Sequence, residues 1–179
     1  MIDRNRHVAE CVDEAGLQTF MSRIAEANAL EDIAFLCIGT DRSTGDCLGP
    51  WVGTMLEERG FANVIGTLRE PCDADKLPGL LPTLNRARTI IAVDACLGKP
   101  DNVGAYMVRE GPLIPARSVN KGFEPVGSYS IAAVVNAVSL KPYWTLQSTS
   151  LYRVMGMAGQ IADAISLQWR NNNRKDGSI

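Results

Sequence analysis

Two aspartates, Asp46 and Asp94, are the residues of this chain best placed by type and context to do chemistry. Asp46 lies in the loop Gly39-Thr-Asp-Arg-Ser-Thr-Gly-Asp-Cys-Leu-Gly-Pro50, which follows the apolar run IAFLCI. Asp94 closes a second apolar run, TIIAVD, ahead of Ala-Cys-Leu-Gly98. A carboxylate ending a buried strand is costly unless it is paired, hydrated or used. Two carboxyls in one crevice cannot both ionise easily, so one pKa rises and the pair holds a shared proton. The ionised member can then activate water against a carbonyl that the protonated member polarises. Spacing alone leaves a second reading open for each aspartate, the capping or hydrogen bonding of loop amides. Pro50 argues against Asp46 as a helix cap. Proline is tolerated in a helix only in its first turn, which puts the N-cap no earlier than about Cys47.

The neighbours of Asp46 form the candidate substrate-binding set: Gly39, Ser43, Thr44 and Gly45. The glycines allow close backbone approach, and the hydroxyls can donate to the Asp46 carboxylate or to a bound peptide. Turn formation explains Ser43 and Thr44 equally well. Asp41 reads as a solvated loop residue. The loop carries neither GxGxxG nor GxxxxGK[ST], and Asp41 and Asp46 would repel a phosphate that Arg42 alone attracts. No cofactor is expected.

The rest of the inventory excludes other chemistries. His7 is the only histidine, so sites that need two are ruled out. A Ser-His-Asp or Cys-His arrangement would depend on that one residue. The five cysteines, Cys11, Cys37, Cys47, Cys72 and Cys96, are odd in number, show no CxxC spacing and follow no secretory signal. A reduced, cytoplasmic chain is the expectation. Cys47 and Cys96 flank the aspartates, but neither has an evident base, and packing is the simpler account. A formal net charge of -2 gives no general attraction to nucleic acid or anionic membrane. No apolar stretch approaches the ~20 residues that span a bilayer. Arg170, Arg174 and Lys175 read as a solvated helix end.

Hydrophobic spacing places these residues on elements. A helix is expected over about 9–29, a strand over 33–38, and a helix with Leu48, Val52 and Leu56 inward that stops near Gly60. Strands follow at 64–68, 89–94 and 103–109, with a short or broken helix at 75–87 despite Pro78 and Pro82. The loop 111–127, holding Lys121 and Glu124, is a candidate lid. Ile131, Val134, Val135 and Val138 mark a helix capped by Ser128 or Ser130, residues that could also line the crevice opposite the aspartates. A last strand at 144–149, a helix from Leu151 to Trp169 and a polar tail at 171–179 complete the chain. With no repeat or linker, residues 1–179 form one domain. Apolar strands alternating with amphipathic helices predict a three-layer α/β/α sandwich around a largely parallel sheet. Its functional crevice lies beyond the carboxyl ends of the strands.

The strings FLCIGTDRSTGDCLGPWVGTMLEERG, GTLREP and IIAVDACLG resemble the YyaC-like sporulation proteins, described as spore peptidases of endospore-forming bacteria. The resemblance runs from about Ile33 to the final helix. More distantly, the framework is similar to the spore germination protease and the hydrogenase maturation endopeptidases, which implies their fold. In the germination protease a Thr-Pro-Asp-Ala-Leu-Gly-Pro segment carries one catalytic aspartate. Thr44-Gly-Asp-Cys-Leu-Gly-Pro50 matches it, with Gly45 in place of proline, and so assigns that role to Asp46. The second family aspartate ends an apolar strand, which assigns its role to Asp94. The hydrogenase relatives hold a metal with an acid at each position and a later histidine; in this chain no histidine follows Asp94, so no metal is expected. The resemblance implies an endopeptidase of the forespore or spore core, acting on small acid-soluble spore proteins or another spore protein. A non-catalytic peptide-binding or regulatory protein on the same fold is the alternative, and a metal-assisted peptidase a weaker one.

Overall fold

The computed structural model describes residues 8–84, 89–114 and 125–175, apart from the side chains of 81, 83 and 170–175. Its centre is a six-stranded sheet in the order β1-β5-β6-β4-β2-β3. The strands are β1 (Glu10–Val12), β2 (Ile33–Cys37), β3 (Val64–Ile65), β4 (Thr89–Gly98), β5 (Tyr106–Glu110) and β6 (Tyr129–Ala137). The helices are α1 (Glu14–Ala27), α2 (Leu48–Glu58), α3 (Leu77–Leu84), α4 (Pro142–Gln147) and α5 (Leu151–Lys175). Only β5 opposes the common direction: it pairs antiparallel with β1 and β6, whereas β6, β4, β2 and β3 are parallel neighbours.

Alternation along β2 shows why helices cover both faces. Ile33, Phe35 and Cys37 point into a large core with Leu17, Phe20, Met21 and Ile24 of α1, Leu48, Val52 and Leu56 of α2, and the inner stripe of α5. Ala34 and Leu36 point the other way, into a smaller core with Leu77 and Leu84 of α3 and the bridged pair Leu113 and Val126. A strand buried on both sides reads as an unbroken apolar run, which is what IAFLCI is. The three-layer expectation holds, with the second helical layer thin. Tyr106 of β5 and Gln160 of α5 are hydrogen bonded, and Gln160 donates to Glu14 at 2.8 Å, tying the first and last helices to the sheet.

Six elements differ from expectation. The segment from residue 9 is not all helix: Glu10–Val12 adds a strand to the edge of β5, and α1 starts only after Asp13, whose side chain accepts the Gly16 N–H at 2.9 Å. The stretch with Ile131, Val134 and Val135 is strand β6, not a helix. It lies between β4 and β5 and is buried on both faces, so apolar residues occur at odd and even positions and mimic a helical stripe. Residues 144–149 belong to helix α4 and the turn after it, not to a strand; Pro142 in its first turn supplies the φ a helix start needs. The closing helix runs on to Lys175, through the start of the expected polar tail. The strand at 64–68 shrinks to Val64–Ile65, and TIIAVD extends to Gly98. His7 and the candidate lid residues Lys121 and Glu124 lie outside the described residues.

Candidate active site

Asp46 is where the Pro50 argument put it. Helix α2 begins at Leu48 with Cys47 as N-cap, and no side chain caps it. Asp46 therefore stands one residue outside the helix, its carboxyl not spent on helix amides. Three close approaches fix the loop. A Cβ added at Gly39, whose φ is +148, would stand 2.0 Å from the Asp46 carbonyl oxygen, and one added at Gly49 would stand 2.0 Å from that of Ile38. Gly45 donates its N–H to Leu146 of α4 at 2.8 Å, and a Cβ there would fall 2.9 Å from that same carbonyl oxygen. Gly39 and Gly45 thus pack backbone on backbone. The contact between Gly45 and Leu146 had no signal in the sequence.

Asp94 reaches the same place from β4. The pairing of β2 with β4 ends at Cys37 and Val93, while β4 continues beside β6, with Asp94 opposite Ala132. Asp94 is thus the first β4 residue beyond the end of β2, beside the turn that carries Asp46. It is not the last residue of its strand, as the apolar run had implied, because pairing to β6 sustains β4 for four more residues.

The charge of Asp46 reaches Asp94. Burial, above all, pushes Asp94 up to about 8; its bond from the Ala95 N–H opposes the rise, and the charge of Asp46 adds to it. That bond spans 2.8 Å. Burial also raises Asp46, and the nearby Ser43 hydroxyl partly offsets this. Ser43 is buried, yet its hydroxyl forms no hydrogen bond of good geometry among the described residues. It faces Asp46 with capacity to spare. Thr44 contributes its carbonyl, which accepts from the Cys47 thiol at 3.0 Å.

The thiols around the crevice are held protonated. Burial raises Cys47, with the Asp46 charge adding to it. Cys72 is pushed up to about 11 and Cys96 to about 12, burial first in both and the Asp94 charge contributing. A thiolate nucleophile needs the reverse surroundings. Nothing in the sequence signalled that Cys72 lies beside this loop: it sits next to Ile38 through a single bridge, and its carbonyl accepts the Gly39 N–H at 3.0 Å. Ser128 and Ser130 are not a helix cap. The Ser128 hydroxyl accepts the Ile90 N–H at 3.2 Å, and Ser130 is buried opposite Ala92, below the level of Asp94. Arg42 and Asp41 stay at the exposed rim, Arg42 paired with Asp73 at 3.1 Å. Among the described residues no three His, Cys, Asp or Glu side chains are placed to share a metal ion, and none of the helices is long and apolar enough to cross a membrane.

Comparison with known proteins agrees with the extent of these motifs. Residues 7–164 match the family described as "Protein of unknown function (DUF1256)". The chain is 38% identical over 165 residues to the uncharacterized protein YyaC of Bacillus subtilis (strain 168), covering 89% of this chain and 80% of that protein. Among solved structures, the [NiFe] hydrogenase maturation protease HycI from Thermococcus kodakarensis KOD1 aligns with a TM-score of 0.47 and 16% identity, over 75% of this chain and 92% of that one. A family match across most of the chain and a relative this similar over nearly its full length lead to one conclusion: the chain belongs to the DUF1256 family, alongside YyaC.

Proposed function

We propose that the protein is a peptidase of sporulation that hydrolyses peptide bonds of a spore protein with Asp46, Asp94 and a water molecule. One observation carries this reading: the carboxyl of Asp46, on the loop before α2, and that of Asp94, on β4 just beyond the end of β2, are both pushed up, with the charge of Asp46 raising Asp94. At neutral pH Asp94, raised to about 8, holds its proton and can donate it to the carbonyl oxygen of the scissile bond. Asp46, eased by Ser43, is the member that ionises first and takes the proton of the attacking water. When the C–N bond breaks, Asp46 gives the proton it took from water to the leaving amine, and Asp94 takes its own back from the hydroxyl as the new carboxyl forms. Because the titrations are coupled, the working range lies between two apparent values that belong to the pair. Cleavage declines as pH rises past about 8, where Asp94 loses its proton. Small acid-soluble spore proteins are the first substrates to try, and the forespore cytoplasm the expected compartment.

The test is cleavage of a spore protein extract by wild type, Asp46→Asn and Asp94→Asn. Each substitution is expected to lower the rate by about a hundredfold or more. Equal cleavage by all three would remove the aspartate pair. Binding of spore peptides with no cleavage by any of them, across acidic and neutral pH, would make the crevice a peptide-binding site instead.

A further inference from the structure

Strand β4 outlasts its neighbour β2. Pairing with β2 ends at Cys37 and Val93, while β6 stays paired with β4 from Asp94 to Gly98. On the β2 side those last residues of β4 have no partner strand. Main-chain polar groups alternate in direction along a strand. Val93 turns to β2, its carbonyl accepting the Ile38 N–H at 2.8 Å, so Ala95 turns the same way. Gly98 turns to β6, its carbonyl accepting the Val138 N–H at 2.8 Å, so Leu97 turns away from β6 as well. The irregularity between Cys96 and Leu97 leaves this alternation intact, because the extra residue, Val135, belongs to β6. The Ala95 N–H is spent on the Asp94 carboxyl at 2.8 Å. Among the described residues the Ala95 carbonyl and the Leu97 N–H have no hydrogen-bond partner. Burial changes at the same point: Ile91, Ala92 and Val93 are buried, whereas Asp94–Gly98 are half-buried. In the loop that follows β2, Ser43 is only 6% exposed and its hydroxyl also lacks a partner of good geometry. An accessible strand edge with unpaired main chain is a template for another strand.

We infer that the substrate of the proposed peptidase docks on this edge as an extended segment, parallel to β4. Strand addition draws its affinity from main-chain bonds, so the substrate must offer an unfolded stretch of polypeptide. A helical or folded segment keeps its own main-chain groups occupied and has none to give. The direction follows from which groups of β4 are free. An antiparallel residue facing Ala95 would need the Ala95 N–H, which Asp94 holds. A parallel segment needs only the two free groups. Its residue opposite Cys96 donates its N–H to the Ala95 carbonyl and accepts the Leu97 N–H, and that residue cannot be proline. The anchored residue stands two strand positions beyond Asp94, about 7 Å along the edge, so the bond within reach of Asp94 lies on its amino side. The inference rests on the peptidase reading for the position of that bond alone; docking itself needs no reaction.

Short peptides tiling a small acid-soluble spore protein test it, with wild type assayed for cleavage and Asp46→Asn for binding. The peptide that binds best is then made with a single N-methyl group at each position in turn. The change lies in the ligand, so folding of the protein is not at stake. One methyl group, on an amide at the carboxyl side of the cleaved bond, is expected to weaken binding about tenfold or more, because it removes the donor and collides with the Ala95 carbonyl. The two flanking amides point away from β4 and should tolerate the methyl group. Equal tolerance at every position, or loss only on the amino side of the cleaved bond, overturns the docking and leaves the peptidase reading standing. A single sensitive amide in a peptide that wild type never cleaves supports the docking and removes the peptidase reading. Failure of every peptide to bind overturns the docking outright.

Discussion

The carbonyl oxygen of Asp46 occupies the space that a Cβ of Gly39 would need, 2.0 Å away, and accepts the Thr40 N–H at 3.2 Å. The end of β2 and the loop that carries the carboxyl are therefore held by main chain alone. A side chain at Gly39 must also adopt φ +148, which L residues rarely do. Gly39→Ala is expected to lose about 3 kcal/mol or more of stability, read as a lower urea midpoint, and to displace Asp46. An unchanged midpoint would show that the loop is free to yield.

Stability should depend on pH through Asp94. Its folded pKa, about 8, lies above the ordinary 3.8, so between these values the native state binds the proton more tightly than the unfolded state. Unfolding free energy then falls as pH rises from about 4 to about 8, and levels off above. Asp94→Asn removes the buried charge. It should raise the melting temperature at pH 8 by the equivalent of about 1–3 kcal/mol, with the gain vanishing near pH 4. Thermal melts of both proteins across that range provide the check. A gain independent of pH would mean that the buried charge of Asp94 is not its cause.

Ser43 should act on the reaction without taking part in it. Its hydroxyl lowers the pKa of Asp46, so Ser43→Ala should shift the acid limb of the cleavage profile to higher pH and leave the alkaline limb, set by Asp94, in place. The stability change should stay within about 1 kcal/mol, because the hydroxyl has no hydrogen-bond partner of good geometry to lose. A profile that drops at every pH without a moved limb would point to a merely structural role.

How far the sequence was legible depended on whether the deciding force was local. The start of α2 could be read from Pro50, since proline geometry acts within one turn and needs no partner. IAFLCI could be read as a buried strand because burial on both faces leaves a continuous apolar run. The same physics misled at Ile131–Val135, where burial on both faces of β6 imitates helical spacing and only the abundance of β-branched residues hints otherwise. Trp144 and Thr145 carry strand propensity, yet α4 forms because the inward bonds of Asn136 and Ser139 and the docking of Leu146 behind Gly45 outweigh it.

By itself the sequence determined the chemical inventory: one histidine, one aspartate that closes an apolar run, and another in a glycine-rich loop that carries no phosphate fingerprint. It also determined that Asp46 stands clear of its helix. What only the tertiary structure decided is that the charge of Asp46 reaches Asp94. That follows from the parallel pairing of β2 with β4, which stops at Cys37 and Val93 and leaves Asp94 beside the Asp46 loop. Strand order and register come from pairing between segments far apart in the chain, which no local pattern encodes. The raised pKa of Asp94 has the same origin, because burial is a property of the assembled walls and not of the residue.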